Sequence, residues 1–154
     1  MRGAPPARNV DEVEALKREA GIAACSFISN GMKLGLGTGS TVRYTVLEIG
    51  RRIAEEALEV IGVPTSEATR HLAEGLGIPL LSLEEAGELD LTIDGADEFD
   101  PDFQLIKGGG GALTREKRVA AASRAMVVVA DDSKQVPVLG EFDLPLEVGT
   151  DDWE

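Results

Sequence analysis

Apolar side chains recur along the chain with two different periods. Spacings of three and four residues are typical of amphipathic helices, and they predict helices over residues 11–29, 41–57, 66–76 and 113–123. Short apolar runs bounded by glycine or polar residues indicate strands, which are predicted over residues 33–36, 58–63, 78–81, 89–93 and 126–129. Because strands and helices alternate, the chain is expected to be an α/β protein with a parallel sheet.

Polar, glycine-containing segments directly follow three of the predicted strands. They span residues 37–40, 94–98 and 131–134. A buried strand is not expected to continue through the acidic residues of the second segment, so a loop is predicted to begin at Asp94. Ligands of open α/β sheets bind beyond the carboxyl ends of the strands. The three segments are therefore expected to lie at one edge of the sheet and to serve one site.

The first segment, with Thr41 added, has the sequence Gly-Thr-Gly-Ser-Thr and opens a helix. Backbone N–H groups, hydroxyls and the positive end of a helix together can surround a phosphate. The segment lacks the Gly-Lys-Ser/Thr of an ATP-binding loop and the third glycine of a dinucleotide fingerprint. A tight turn with a Ser/Thr helix cap explains the same residues without a ligand, so both interpretations stay open.

The second segment holds two carboxylates, Asp94 and Asp97, separated only by Gly95 and Ala96. Two carboxylates held close together raise the pKa of one of them, which suits proton exchange near neutral pH. A metal site and a solvated acidic turn are the alternatives. A metal usually draws histidine or further carboxylates, and the single histidine, His71, lies far away in a helical segment where a surface or structural role is expected.

A lysine followed by four glycines, Lys107 and residues 108–111, precedes the last predicted helix. The cation and a backbone without side chains can approach a substrate closely and stabilise a developing oxyanion. Glu116 lies near the start of that helix. It is either an ordinary acid that favours the helix dipole or a general base directed at the glycine loop.

Composition and charge narrow the function classes. Lys and Arg number 15 and Asp and Glu 28, so the formal net charge is −13. This charge repels nucleic acids and anionic membranes, and neither is expected as a partner. Residues 1–9 contain no apolar stretch, which argues against a signal peptide or an anchor. Cys25 is the single cysteine, so no intramolecular disulfide can form and a cytoplasmic location is expected. Adaptation to high salt and ordinary acidity explain the charge equally well.

The length of 154 residues fits one domain with one core. Three parts are predicted along the chain. They are a flexible lead over residues 1–10, a single α/β domain over residues 11–148 and an acidic tail over residues 149–154.

Three segments in order resemble the signature segments of type A ribose-5-phosphate isomerases. They are residues 35–41 (Gly-Leu-Gly-Thr-Gly-Ser-Thr), 94–98 (Asp-Gly-Ala-Asp-Glu) and 107–117 (Lys-Gly-Gly-Gly-Gly-Ala-Leu-Thr-Arg-Glu-Lys). The similarity extends from about Val13 to Val148. It implies a Rossmann-like, open, mostly parallel sheet with helices on both faces, no cofactor or metal, and a homo-oligomer, either a dimer or a tetramer.

The resemblance also implies an activity, the interconversion of D-ribose 5-phosphate and D-ribulose 5-phosphate through an enediolate, in the non-oxidative pentose phosphate pathway. Glu116 would move the proton between C1 and C2, Asp94 would assist ring opening, Lys107 would stabilise the oxyanion, and Asp97 would orient hydroxyls. The implied substrate-binding residues are Lys17, Thr38, Gly39, Ser40, Thr41, Asp94, Gly95, Ala96, Asp97, Lys107, Gly108, Gly109, Gly110 and Lys134.

The resemblance ends near residues 144–148. Chains of the family continue into a small C-terminal α/β subdomain, which is largely absent here, and its absence is expected to expose apolar surface or to change subunit association. A second interpretation is therefore a sugar-phosphate-binding domain of the same fold without turnover. The intact set of Asp94, Asp97, Lys107 and Glu116 favours the isomerase.

Overall fold

The computed structural model describes residues 8–149, so most of the predicted lead and tail lie outside the described residues. The helices are α1 (Val10–Ala24), α2 (Val42–Glu56), α3 (Glu67–Gly75), α4 (Leu83–Ala86) and α5 (Leu113–Ala121). The strands are β1 (Lys33–Leu36), β2 (Ile61–Pro64), β3 (Leu91–Gly95), β4 (Glu98–Phe99), β5 (Leu105–Ile106) and β6 (Met126–Val129). None of the helices within residues 8–149 combines the length and apolar character needed to cross a bilayer.

The main sheet has four parallel strands in the order β2-β1-β3-β6. Gly35 in β1 lies opposite Val63 on one side and Thr92 on the other, which fixes the register. Strands β4 and β5 form a separate antiparallel pair. The predicted α/β fold with a mostly parallel sheet is confirmed.

Side chains alternate along the strands and fill a core on each face of the sheet. Leu34 and Ile93 belong to the larger core, which includes residues of α1, α2 and α3. Val63 and Val119 belong to a smaller core with residues around α4 and α5. At Gly35 a β-carbon would clash with Oγ1 of Thr92 and would lie only 2.6 Å from Cγ1 of Val119. A glycine is needed here because the Thr92 side chain of β3 and the Val119 side chain of α5 both occupy this space.

The predicted bounds of β1 and β6 are confirmed, whereas those of β2 were wrong. The strand begins at Ile61 rather than residue 58 because the Leu58 N–H donates to the Arg52 carbonyl and closes the end of α2. It also includes Pro64, which is tolerated at the end of a strand near the sheet edge. The predicted strand over residues 78–81 is reduced to a single bridge between Leu80 and Gly62.

The prediction that a loop begins at Asp94 was also wrong. Strand β3 continues through Asp94 to Gly95, and Asp94 is only 1% exposed. The carboxylate tolerates burial because its Oδ1 accepts hydrogen bonds from the N–H groups of Thr38 (3.1 Å) and Gly95 (2.8 Å). The Lys107 ammonium, 3.3 Å from Oδ2, supplies an opposite charge.

The sheet topology defines where a ligand is expected. From β1 the chain moves outward to β2, then returns past β1 to β3 and β6. The loops that leave β1 and β3 therefore diverge at the point where the strand order reverses, which is the usual ligand crevice of open α/β sheets. The two strand ends are tied by a 2.9 Å hydrogen bond from the Gly37 N–H to the Ile93 carbonyl.

Candidate active site

A cavity of about 180 Å³ opens at this crevice. The residues that line it come from the strand ends, the glycine loop and two helix starts. They are Thr38, Gly39, Ser40, Thr41, Val42, Gly95, Ala96, Asp97, Lys107, Gly108, Gly109, Gly110, Ala112, Glu116, Val129 and Lys134. The three polar segments thus share one cavity, and of the candidate site residues only Asp94 and Lys17 do not line it.

The loop that leads from β1 into α2 leaves the start of the helix open. Gly39 has a φ of 137°, which requires a glycine. Thr41 occupies the N-cap position of α2 but makes no side-chain capping hydrogen bond. The interpretation of this loop as a simple Ser/Thr cap was therefore wrong. Thr41 and Val42, at the start of this 15-residue helix, line the cavity, and the positive end of the helix dipole favours an anion there.

Hydroxyl groups from the end of β2 and the start of α3 hold this loop in place. The Thr38 hydroxyl lies 2.8 Å from those of both Thr65 and Ser66. The Thr69 hydroxyl donates to the Gly37 carbonyl at 2.8 Å. Sequence reasoning assigned no role to these supporting residues. Thr65 and Ser66 directly follow β2, so the rule that polar residues after strands share one edge could have pointed to them.

Three charged side chains meet beside the glycine loop and form the charged end of the site. The Lys107 ammonium lies 3.3 Å from Asp94 Oδ2 and 3.7 Å from Glu116 Oε1, and it also donates to the Gly95 carbonyl. Asp94 Oδ2 accepts no hydrogen bond from the part of the chain that the structure describes. One cation therefore serves two buried carboxyl groups, which leaves an excess negative charge in a poorly hydrated place.

The pKa of Glu116 responds to this burial and excess negative charge. Glu116 lies in the first turn of α5 and is only 6% exposed. Burial, and next the negative charge of Asp94, raise its pKa to about 7, although the Lys107 cation opposes the shift. The interpretation of Glu116 as an ordinary surface acid at a helix start is not supported by this burial. A carboxyl group with a pKa near 7 can both accept and return a proton at neutral pH.

The glycine loop over residues 107–111 closes the same end. Gly108 and Gly111 have φ values of 92° and 83°, conformations that favour glycine. The Gly109 N–H donates to Asp97 Oδ2 at 2.8 Å, which ties the loop to the segment after β3. Asp97 thus lines the cavity and also fixes one wall of it.

Of the two further lysines predicted to bind substrate, Lys134 lines the cavity and Lys17 does not. Lys134 lines the cavity from the short 3-10 turn after β6. Burial opposes ionisation of the neighbouring Asp131, but hydrogen bonds from Ser133 and the charges of Lys134 and Lys17 outweigh it and lower the pKa of this carboxyl. Lys17 does not line the cavity, and its ammonium lies 3.1 Å from Glu14 Oε1. A role for Lys17 at the phosphate stays a prediction.

Two other candidate groups lie apart from the cavity. His71 is exposed on α3, next to the Arg70 guanidinium. Cys25 is buried, and burial raises the pKa of its thiol to about 11, so it remains protonated. Among residues 8–149, no three His, Cys, Asp or Glu side chains are grouped so that they could hold a metal ion.

Comparisons with known proteins agree with this geometry. The family model described as ribose 5-phosphate isomerase A (phosphoriboisomerase A) matches residues 61–154. The curated ribose-5-phosphate isomerase A proteins of Nitrobacter hamburgensis and Bradyrhizobium diazoefficiens are each 58% identical to this chain over 136 residues. Those residues are 88% of this chain and 58% and 56% of the two relatives, so the chain spans little more than half of their length.

Solved structures match as well. Ribose 5-phosphate isomerase A from Methanocaldococcus jannaschii superposes with a TM-score of 0.80 and 45% identity, covering 83% of this chain and 57% of that one. A D-ribose-5-phosphate isomerase in complex with phospho-erythronic acid gives a TM-score of 0.81 and 40% identity, covering 82% and 56%. With a matching family model over more than half of its residues, the chain belongs to the ribose 5-phosphate isomerase A family.

Proposed function

We propose that this chain interconverts D-ribose 5-phosphate and D-ribulose 5-phosphate, and that residues 11–148 form the domain that does so. The observation that carries the proposal is Glu116, a buried carboxyl group with a pKa of about 7. It lines the same cavity as an uncapped helix start. A site with a base at one end and an anion site at the other suits proton transfer on a phosphorylated sugar.

In this proposal the phosphate binds at the loop between β1 and α2. Backbone N–H groups of Gly39, Ser40 and Thr41 and the side-chain hydroxyls of the loop donate to its oxygens. Lys134, across the cavity, adds a positive charge. These groups hold substrate and transition state alike, so they contribute to affinity more than to the chemical step.

The reacting carbons lie at the charged end. With the sugar ring opened, assisted by Asp94, the Glu116 carboxylate removes the proton from C2 of the aldose. The electron pair of the broken C–H bond forms the C1–C2 double bond, and the carbonyl electron pair moves to O1. Lys107 and N–H groups of the glycine loop stabilise that oxyanion. Glu116 returns the proton to C1, while the hydroxyl proton at O2 passes to O1 through groups oriented by Asp97.

The test is a turnover assay of the purified chain with ribose 5-phosphate in the presence of EDTA. Glu116→Gln is expected to lower kcat by roughly 10²–10⁴-fold, the usual contribution of a positioned acid-base group. Glu141→Gln removes an exposed carboxylate and serves as the matched control. Calorimetry with phospho-erythronic acid checks that the Glu116 variant still binds a sugar phosphate. Binding without turnover by the unmodified chain would identify a binding domain rather than an isomerase. Turnover of Glu116→Gln at the rate of the control variant would contradict the assignment of Glu116 as the base.

The proposal extends to assembly and location. Leu144 and Leu146 are exposed apolar side chains near the end of the described residues, and they support a homo-oligomer, either a dimer or a tetramer. Light scattering of the purified chain tests this, since a monomer at micromolar concentration would exclude it. The single, unpaired Cys25 supports a reducing, cytoplasmic location.

A further inference from the structure

Glu98 is a buried carboxylate that the proposed chemistry does not use. It lies in β4 and is only 3% exposed. Its Oε2 accepts the N–H of Gly140 at 2.8 Å, and its Oε1 accepts the N–H of Phe142. Within residues 8–149 it forms no ion pair. Burial of an uncompensated charge is costly, so the two backbone hydrogen bonds compensate this carboxylate. They tie residues 140–142 to β4, next to the hydrogen bond from the Val136 N–H to the Phe99 carbonyl.

The segment that Glu98 fixes reaches the glycine loop. A β-carbon built on Gly109 would lie 2.6 Å from Cζ and 2.9 Å from Cε1 of Phe142. The Phe142 ring therefore occupies the space that a side chain at position 109 would need. Asp97 Oδ2 accepts the Gly109 N–H at 2.8 Å. Two adjacent residues, Asp97 and Glu98, thus hold Gly109, one directly and the other through Phe142.

A loop of four glycines needs such support to keep one conformation. Glycine loses more backbone entropy on ordering than any other residue. Inside the loop, one hydrogen bond, from the Gly111 N–H to the Gly108 carbonyl at 3.0 Å, closes the turn. Lys107 begins the loop, so movement of the loop would also displace the cation that faces Asp94 and Glu116.

We propose that Glu98 and Phe142 are positioning residues that hold the glycine loop of residues 107–111 in the geometry required for the reaction. This inference rests on the proposed isomerase function for its kinetic test. The two residues act through Gly109 and Lys107, and they lie away from the loop that would bind the phosphate. Their loss should therefore change the chemical step and leave phosphate binding intact.

The kinetic test compares Phe142→Ala and Glu98→Gln with two controls on the same segment. Val138→Ala removes an apolar side chain that is 74% exposed, and Glu141→Gln changes an exposed carboxylate. Both test variants are expected to lower kcat by roughly tenfold to a hundredfold, as displaced catalytic groups do. The inhibition constant of inorganic phosphate should stay within about twofold of the control value. Phe142→Leu, which keeps an apolar contact, should recover most of the loss.

A second measurement does not depend on turnover. Amide hydrogen exchange of residues 105–113 should be at least about tenfold faster in Phe142→Ala than in Val138→Ala, with exchange in α2 unchanged. If the unmodified chain does not isomerise ribose 5-phosphate, the proposed function fails, and the exchange experiment still tests the positioning role. Unchanged exchange in Phe142→Ala overturns it. So does a parallel loss of kcat and phosphate affinity, which would indicate a general structural role. Phe142→Ala decides the question alone if Glu98→Gln does not fold.

Discussion

Two parts of the site are built from opposite kinds of chemistry. In the neutral end, formed by residues 38–41 between β1 and α2, the side chains are uncharged, and the Thr38 hydroxyl is bonded to neighbouring hydroxyls. In the charged end, which the Thr38 N–H touches through its bond to Asp94, Asp94 and Glu116 share the Lys107 cation. A satisfied, neutral network holds a fixed geometry, whereas an unbalanced buried charge shifts a pKa and favours proton movement. The comparison assigns binding to the first end and chemistry to the second.

Removal of the cation should affect the charged end most. Lys107→Met is expected to lower kcat by roughly 10²–10³-fold, because a preorganised donor to the oxyanion is lost. The two carboxyl groups also lose their shared counter-charge, so the pKa of Glu116 should rise further. Steady-state kinetics measure the effect, and Lys117→Met, which removes an exposed lysine from α5, is the control. Equal kinetics in the two variants would contradict the role of Lys107.

Stability should depend on pH through Glu116. Its pKa is raised in the folded state from an ordinary value of 4.5 to about 7. The unfolded chain therefore loses this proton first as the pH rises, and the stability associated with protonated Glu116 is present below about pH 4.5 and lost through about pH 7. Relative to wild type, Glu116→Gln should gain about 2–3 kcal/mol in its free energy of unfolding between these limits. Urea unfolding at several pH values measures this gain, and a constant difference would contradict the pKa shift.

The same pKa should set the acidic limb of the rate profile. A base must be ionised to remove the C2 proton, so kcat/KM should fall about tenfold per pH unit below the pKa of Glu116, near pH 7. Ser40→Ala, at the neutral end, should leave the position of this limb unchanged. A limb near pH 4.5 would indicate a base in an ordinary solvated environment.

The smallest effect is expected at the neutral end. Ser40→Ala removes one hydroxyl from the lining of the cavity. It should raise KM by about five- to tenfold, about 1 kcal/mol, with kcat nearly unchanged, because the lost hydrogen bond is equally strong in substrate and transition state. Ser26→Ala, an exposed serine in the 3-10 turn after α1, is the control. A loss confined to kcat would contradict the assignment of binding, rather than chemistry, to the neutral end.

Local patterns in the sequence predicted most of the fold. The alternation of strands and helices was sufficient for the parallel sheet, and β1 and β6 have the predicted bounds. The start of β2 and the path of β3 were wrong for different physical reasons. Strand β2 starts late because a local hydrogen bond, from the Leu58 N–H to the Arg52 carbonyl, closes the end of α2. Strand β3 continues through Asp94 because Lys107 and Thr38, which are distant in sequence, allow this carboxylate to be buried.

The residues of the site also differ in whether a local motif could identify them. Thr38, Asp97, Lys107 and Glu116 were identified because each lies in a segment with a local motif, and they do line one cavity. Phe142 carried no such signal. It lies beside Gly109, more than 30 residues away in sequence, in a segment bonded to Glu98, and no periodicity or spacing encodes such a contact.

The most direct test of the account follows the proton itself. Ribose 5-phosphate is incubated with the chain and EDTA in D₂O, and proton NMR records the hydrogens at C1 and C2. Transfer through an enediolate by Glu116 predicts that deuterium enters at the reacting carbons during isomerisation, and that Glu116→Gln abolishes both exchange and turnover while the exposed control Glu141→Gln does not. Isomerisation and exchange that continue at the same rate in Glu116→Gln would contradict the central claim.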